Sequence, residues 1–301
     1  MRIIEYFHFK KMRSQFALYF WIVAAILFLP TSCTAETIFY GVGNDGYFAD
    51  VIGIESALSG AIGSDAFTSY TYSNLAGRDI NNSTVALKPF LHPDDTLIWY
   101  YSGHGHFFPD DLLEDETQSG SLALDSYDEA LGLQGNSNWL SDDQLAGALN
   151  NLADTTAGIL AIADMCYAGG LVGGISDLNT VSGLTFFGSS SELGLSYAFS
   201  SDSCSLLTDS LIDGLANWSA DSDSDGILWA SEWFQYSYDF TVDSLGVQHP
   251  VYYGEDLMIA SQTPAPVPIP GTVFLLGPGL LWLYLLRKFD NKKKKLYFSY
   301  L

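Results

Sequence analysis

A chain of 301 residues, 48% hydrophobic and 15% aromatic, has the apolar material for a folded body and is too hydrophobic to be a disordered polyelectrolyte. Its 35 Asp and Glu against 12 Lys and Arg give a formal charge of −23. Such a surface repels nucleic acid and anionic lipid and suits cations and basic peptides; it also keeps an exported protein soluble.

The basic residues cluster at the ends, at Arg2, Lys10, Lys11 and Arg13 and again at Arg287, Lys288 and Lys292 to Lys295. Only Arg78 and Lys88 lie between, so the body is more acidic than the whole chain. The cysteines, Cys33, Cys166 and Cys204, do not make a disulfide framework.

Residues 1–35 read as a signal peptide. Basic residues up to Arg13 precede the apolar run Phe16 to Leu29, then Pro30 and small residues through Ala35. The run is short for a membrane span, so cleavage after Ala35 is expected. A lipoprotein-type cut before Cys33 and an uncleaved anchor are the alternatives.

Residues 36–260 predict one α/β body, a mostly parallel sheet with helices on both faces, because short apolar runs alternate with helical stretches. The expected strands are Thr37–Val42, Ala66–Tyr72, Thr96–Tyr101, Ile159–Met165 and Leu184–Gly188. The run Thr-Leu-Ile-Trp-Tyr-Tyr lacks polar alternation, as a strand buried on both sides should. The expected helices are Tyr47–Leu58, Asp79–Leu91, Asp142–Leu152, Ser203–Trp218 and Ala230–Asp243. Ser141, with Gln144 three residues on, starts the third with a capping box. Phe107 to Gly120 is acidic and irregular and reads as a surface loop.

Two motifs carry chemistry, each at the carboxyl end of a strand, where open parallel sheets bind ligands. The first is Tyr101-Ser102-Gly103-His104-Gly105-His106; the second is Asp164-Met165-Cys166-Tyr167-Ala168-Gly169-Gly170. A cysteine is a nucleophile only as thiolate and needs an imidazole to take its proton. His104 is the expected base and His106 its competitor. The N–H groups of Gly105 and Cys166 would then face the oxyanion.

Asp221-Ser222-Asp223-Ser224-Asp225-Gly226, with Glu232 six residues further, fits a calcium-binding EF-hand loop over 221–232. Asp221, Asp223, Asp225 and Glu232 supply carboxylates and Ile227 a carbonyl, while Gly226 makes the sharp turn and Leu228 fills the apolar eighth position. A solvated acidic turn is the alternative. No organic cofactor is expected.

A Pro-rich linker occupies 261–271, with Thr-Pro-Ala-Pro-Val-Pro-Ile-Pro-Gly at Thr263 to Gly271. An apolar stretch to Leu286 and the basic tail complete 272–301. The arrangement resembles the PEP-CTERM sorting signals of Gram-negative bacteria. That resemblance implies a processing peptidase as partner and delivery to the cell surface or extracellular matrix. A plain membrane anchor with its lysines in the cytoplasm is the alternative.

The blocks Asp95 to Gly105 and Ala161 to Gly170 resemble the His and Cys blocks of caspase-like peptidases, metacaspases above all. Asp128–Leu133, Ser141–Leu149, Leu184–Glu192 and Gln248–Pro250 agree with it as well. The likeness spans about Thr37 to Asp256 and implies a caspase-like fold, Cys166 as nucleophile, His104 as its general acid, and a peptide or protein substrate. Cys166-Tyr167-Ala168-Gly169 departs from the usual Cys-His-Ser-Gly, which bears on the substrate cleft. Asp164 matches an acid of the specificity pocket and implies cleavage after Arg or Lys; a structural capping role is its other reading. Asp142, Asp143 and Asp125 match a second calcium site, although acids at a helix start are favoured by the dipole alone. The competing functions are a catalytically silent calcium-binding surface protein and a transpeptidase.

Overall fold

The apolar runs become strands because uninterrupted β-branched and aromatic residues suit a sheet covered on both sides. The structure, a computed structural model, describes residues 35–109, 127–133, 135, 138–174, 177–198 and 204–262. The signal segment to Thr34, the linker from Thr263 onward, the terminal apolar segment and Asp125 lie outside the described residues. Among the described residues no helix is long and apolar enough to cross a membrane.

In chain order the strands are β1 (Thr37–Gly43), β2 (Phe67–Ser73), β3 (Thr96–Ser102), β4 (His104–Pro109), β5 (Tyr127–Gly132), β6 (Leu140–Ser141), β7 (Gly158–Asp164), β8 (Leu184–Gly188), β9 (Ile227–Trp229), β10 (Val251–Gly254) and β11 (Met258–Ser261). The helices are α1 (Phe48–Ile62), α2 (Gly77–Val85), α3 (Asp142–Ala153), α4 (Leu206–Leu215) and α5 (Ala230–Leu245).

The fold is α/β, built on a six-stranded sheet in the order β2-β1-β3-β7-β8-β10. All neighbours are parallel except β10, which runs antiparallel to β8. Successive side chains of a strand point to opposite faces, and the core divides accordingly. Leu97, Trp99 and Tyr101 of β3 with Ile159, Ala161 and Ala163 of β7 face α2 and α3. Ile98 and Tyr100 with Leu160 and Ile162 face α1, α4 and α5. The helices thus cover both faces, as expected.

Four differences from the sequence reading have local causes. Phe107–Pro109 is not loop but the end of β4, which pairs antiparallel with β5; the partner strand supplies the order that the local pattern lacks. The edge strand β10 and the ribbon of β9 and β11 are only three or four residues each, too short to leave a periodicity. The second helix stops at Val85, short of Leu91, and a separate turn at Lys88–Phe90 follows; Pro89 cannot continue a helix. The fourth covers Leu206–Leu215, and beyond it Asn217 turns left-handed at φ 54°.

Candidate active site

The two motifs leave adjacent strands at the same level. Ser102 at the end of β3 pairs with Asp164 at the end of β7, so His104 and Cys166 each lie two residues past that register. The Gly103 amide donates to the Asp164 carbonyl at 3.2 Å. A Cβ at Gly105 would fall 1.9 Å from the Cys166 carbonyl oxygen. Only glycine lets these two backbones approach so closely.

Each motif is braced from behind. The buried Tyr101 phenol lies 3.0 Å from the His104 carbonyl and 2.9 Å from that of Gly132, and it accepts the Gly132 amide at 3.1 Å. Ser189 Oγ accepts the Met165 amide at 2.9 Å and donates to the Met165 carbonyl at 2.8 Å. Ser190 Oγ accepts the Ala168 amide at 3.1 Å. The serines of the Leu184–Glu192 block therefore pin the chain on both sides of Cys166.

The Tyr47 ring stands edge-on to His104 with centroids 6.1 Å apart. His106 is exposed and packs instead against Phe108 and Trp139. The Cys166 thiol faces the Ser196 carbonyl at 3.9 Å. Burial pushes that thiol above its ordinary pKa, and the charge of Asp164 adds to the effect.

Asp164 is 2% exposed. Its carboxylate accepts Ser196 Oγ at 2.8 Å, Thr208 N–H at 3.1 Å, Thr208 Oγ1 at 2.7 Å and Ser205 Oγ. It therefore caps the start of α4. A second acid meets it there: Asp50 at the head of α1 is 1% exposed. Its Oδ2 accepts Ser102 Oγ at 2.5 Å and Ser205 N–H at 3.4 Å. Burial, then the like charge of Asp164, lifts the Asp50 carboxyl to about 6. The two described strong cations, Arg78 and Lys88, are exposed, and Arg78 pairs with Asp79. Two buried carboxylates are thus placed side by side without a Lys or Arg partner among the described residues.

Asp50 and Tyr47 were not predicted. Their turn, Gly43 to Asp50, has no motif of its own, and only the parallel pairing of β1 with β3 carries it to the site.

Three carboxylates converge at each of two further places. Oxygens of Asp221, Asp223 and Asp225 lie within 4.8 Å of one another. Gly226 turns at φ 80°, and its amide donates to Asp221 Oδ2 at 3.0 Å. Asp221 Oδ1 is buried and takes no hydrogen bond among the described residues, which fits a cation ligand. Leu228 is buried in the core, and Ile227 pairs with Ser261 in the β9–β11 ribbon. Glu232 does not join the three acids. Its oxygens accept Ser222 N–H at 3.1 Å, Ser222 Oγ at 2.8 Å and Trp229 N–H at 3.2 Å. The helix entering the loop ends at Leu215, earlier than an EF-hand pattern implies.

The other group is Asp142, Asp143 and Asp177, with oxygens again within 4.8 Å. Asp142 and Asp177 are buried, and a buried set of carboxylates suits a hard cation. Asp177, eleven residues after Cys166, carried no sequence signal. Asp142 Oδ2 accepts the Glu129 amide at 3.1 Å, and a Cβ at Gly170 would fall 2.1 Å from the Glu129 carboxyl carbon. This group therefore adjoins the loop that follows Cys166. The helix that follows the Asp221 loop reaches toward the amino end of the strands: Leu257, whose carbonyl accepts the Ala230 amide at 2.8 Å, packs on Gly158, the first residue of β7.

No protein-family profile and no curated protein matches the chain. Among solved structures it is similar to protein GSU0716 from Geobacter sulfurreducens. The likeness has 17% identity and a TM-score of 0.50 and covers 77% of this chain and 95% of that one. At that identity the likeness is one of fold.

Proposed function

We propose that the protein is an exported cysteine endopeptidase of the caspase and metacaspase type that cleaves after Arg or Lys. The observation that carries this reading is the meeting of a His-Gly turn and a Cys turn at the ends of adjacent strands, above a buried pair of acids that no described Lys or Arg neutralises. A lone acid in a core is usually structural; two together, with one carboxyl raised to about 6, mark a site awaiting positive charge. A substrate guanidinium or ammonium supplies it.

The chemistry follows from the placement. His104 takes the Cys166 proton as the sulfur attacks the scissile carbonyl, because burial leaves little thiolate beforehand. The N–H groups of Gly105 and Cys166 stabilise the oxyanion. His104 then hands its proton to the departing amine, and water hydrolyses the thioester. Tyr47 confines the imidazole, and Ser189 and Ser190 fix the nucleophile's turn.

Calcium fits both acid clusters. Asp221, Asp223, Asp225 and the Ile227 carbonyl would hold one ion far from the chemistry, where it would stiffen the β9–β11 ribbon. Glu232 would join them after releasing Ser222. Asp142, Asp143 and Asp177 would hold another beside the nucleophile's loop. The signal segment and the sorting tail support an exported location, at the cell surface, in the matrix or at a membrane.

The test is a peptide library cleaved by the purified protein with and without calcium, beside Cys166→Ala and His104→Ala. Hydrolysis after Arg or Lys that both variants abolish is expected, with His106→Ala largely active. Full activity in Cys166→Ala, or cleavage after Asp alone, refutes the reading. Added amine separates hydrolysis from transpeptidation by its products.

A further inference from the structure

The nucleophile stands on the crest between the two faces of the sheet, and the faces differ in chemistry. Asp164, Ser102 and Asp50 lie with α1 and α4. Across the crest, Met165 and Ala168 pack with Leu131 of β5 and with α3. On that second side Tyr167, the residue directly after Cys166, holds φ 64°. This left-handed region is costly for a bulky side chain and persists only where surroundings over-determine it, most often at functional sites.

Two contacts fix Tyr167. Its N–H donates to the Gly194 carbonyl at 2.9 Å. Its ring meets Phe107 edge-on, centroids 4.8 Å apart at 81°. Neither ring is fully buried. Phe107 shares a face of β4 with Gly105, the residue whose backbone abuts the Cys166 carbonyl. The aromatic pair is therefore beside the Cys166 turn, on the side away from Asp50 and Asp164.

We infer that Tyr167 and Phe107 form a subsite for an apolar or aromatic side chain on the residue that follows the scissile bond. The inference rests on the peptidase reading and assigns the other half of its cleft. The basic residue of the substrate lies over Asp50 and Asp164. The departing amine must face His104, and His104 begins β4. The residue carrying that amine therefore passes over β4, where Phe107 and Tyr167 offer an apolar wall. No new bond is made: the subsite orients the leaving group, and its binding energy lowers the barrier to acylation.

The experiment is a set of peptides with Arg before the scissile bond and Gly, Asp, Leu, Phe or Tyr after it, with cut positions read by mass. For the wild-type protein with calcium, kcat/KM with Leu, Phe or Tyr should exceed that with Gly or Asp on the order of 10-fold, the return for burying one such side chain. Tyr167→Gly keeps a residue that adopts the left-handed backbone freely and should erase that ratio. A flat or acid-preferring profile in the wild type overturns the subsite, as does an unchanged ratio in Tyr167→Gly. If no arginyl bond is cut at all, the peptidase reading falls and takes the subsite with it.

Discussion

Replacing Asp50 by Asn separates stability from function at the acid pair. The Asp50 carboxyl rises from an ordinary value near 4 to about 6, chiefly through burial and secondarily through Asp164. Because the folded value is raised, the stability it contributes is fully present below about pH 4. It is lost as the pH climbs through about 6, since the unfolded chain ionises this acid more easily. Two pH units at about 1.4 kcal/mol each make about 3 kcal/mol that the folded state forgoes at neutral pH. Asn keeps the shape and an oxygen for Ser102 and carries no charge. At 2–4 °C per kcal/mol for a domain of this size, Asp50→Asn should melt roughly 6–12 °C higher at pH 8. At pH 4 the two proteins should differ little. Thermal melts at both values, with metal removed, check this. The same substitution should lower kcat/KM on arginyl peptides at least about 10-fold, because a buried guanidinium loses a counter-charge. A gain as large at pH 4 as at pH 8, or a lower melting point at pH 8, would refute the electrostatic argument.

Other outcomes follow from single contacts. Gly105→Ala should abolish peptide cleavage, because its methyl would meet the Cys166 carbonyl at 1.9 Å; activity near the wild-type level would contradict the close approach. Tyr101→Phe leaves the buried Gly132 amide without its 3.1 Å acceptor and should cost about 1–3 kcal/mol in a denaturant melt. Iodoacetamide should label Cys166 more slowly than a free thiol at pH 7, because burial raises its pKa, and the rate should still be rising at pH 9. Calorimetric titration of metal-stripped protein should show calcium binding accompanied by a higher melting point. Asp221→Asn should remove part of that shift, while Asp177→Asn should chiefly reduce calcium-dependent activity.

What the sequence discloses about this chain divides along the distance over which its signals act. Thr96–Ser102 and Gly158–Asp164 announce themselves because a strand buried on both faces must be apolar throughout. The Ser141 cap is legible because its partner, Gln144, is three residues away, and the structure has that bond at 3.4 Å. His104, Cys166 and the Asp221 loop stand out as candidates because their side chains lie in contiguous motifs. Asp50, Tyr47 and Asp177 are not: each reaches its site through strand order or a long connection, and a lone Asp in a loop resembles any solvated acid. The β4–β5 pair escapes for the same reason, since its paired residues are 18 to 28 apart in the chain and β4 itself is mostly His, Gly and Phe.

The acid clusters also bear on why this body is so poor in Lys and Arg. Carboxylates brought together in a low-dielectric interior repel one another, and a protein usually answers with its own cations. Here the described residues contain only Arg78 and Lys88, both at the surface. Among the described residues neither Arg78 nor Lys88 pairs with Asp50 or Asp164. On the peptidase reading, the two groups of acids would select differently. Asp50 and Asp164 sit among hydroxyl groups of Ser102, Ser196, Ser205 and Thr208, which suits an organic cation that arrives attached to a peptide. Asp142, Asp143 and Asp177 offer hard carboxylate oxygens within 4.8 Å of one another, which suits calcium. One lysine introduced beside the Asp50–Asp164 pair should then supply a counter-charge. Ser205→Lys, at the residue whose N–H meets Asp50 and whose hydroxyl meets Asp164, should raise the melting point at neutral pH while competitively blocking arginyl substrates. A lysine there that left substrate affinity untouched would show that the acid pair serves the fold alone.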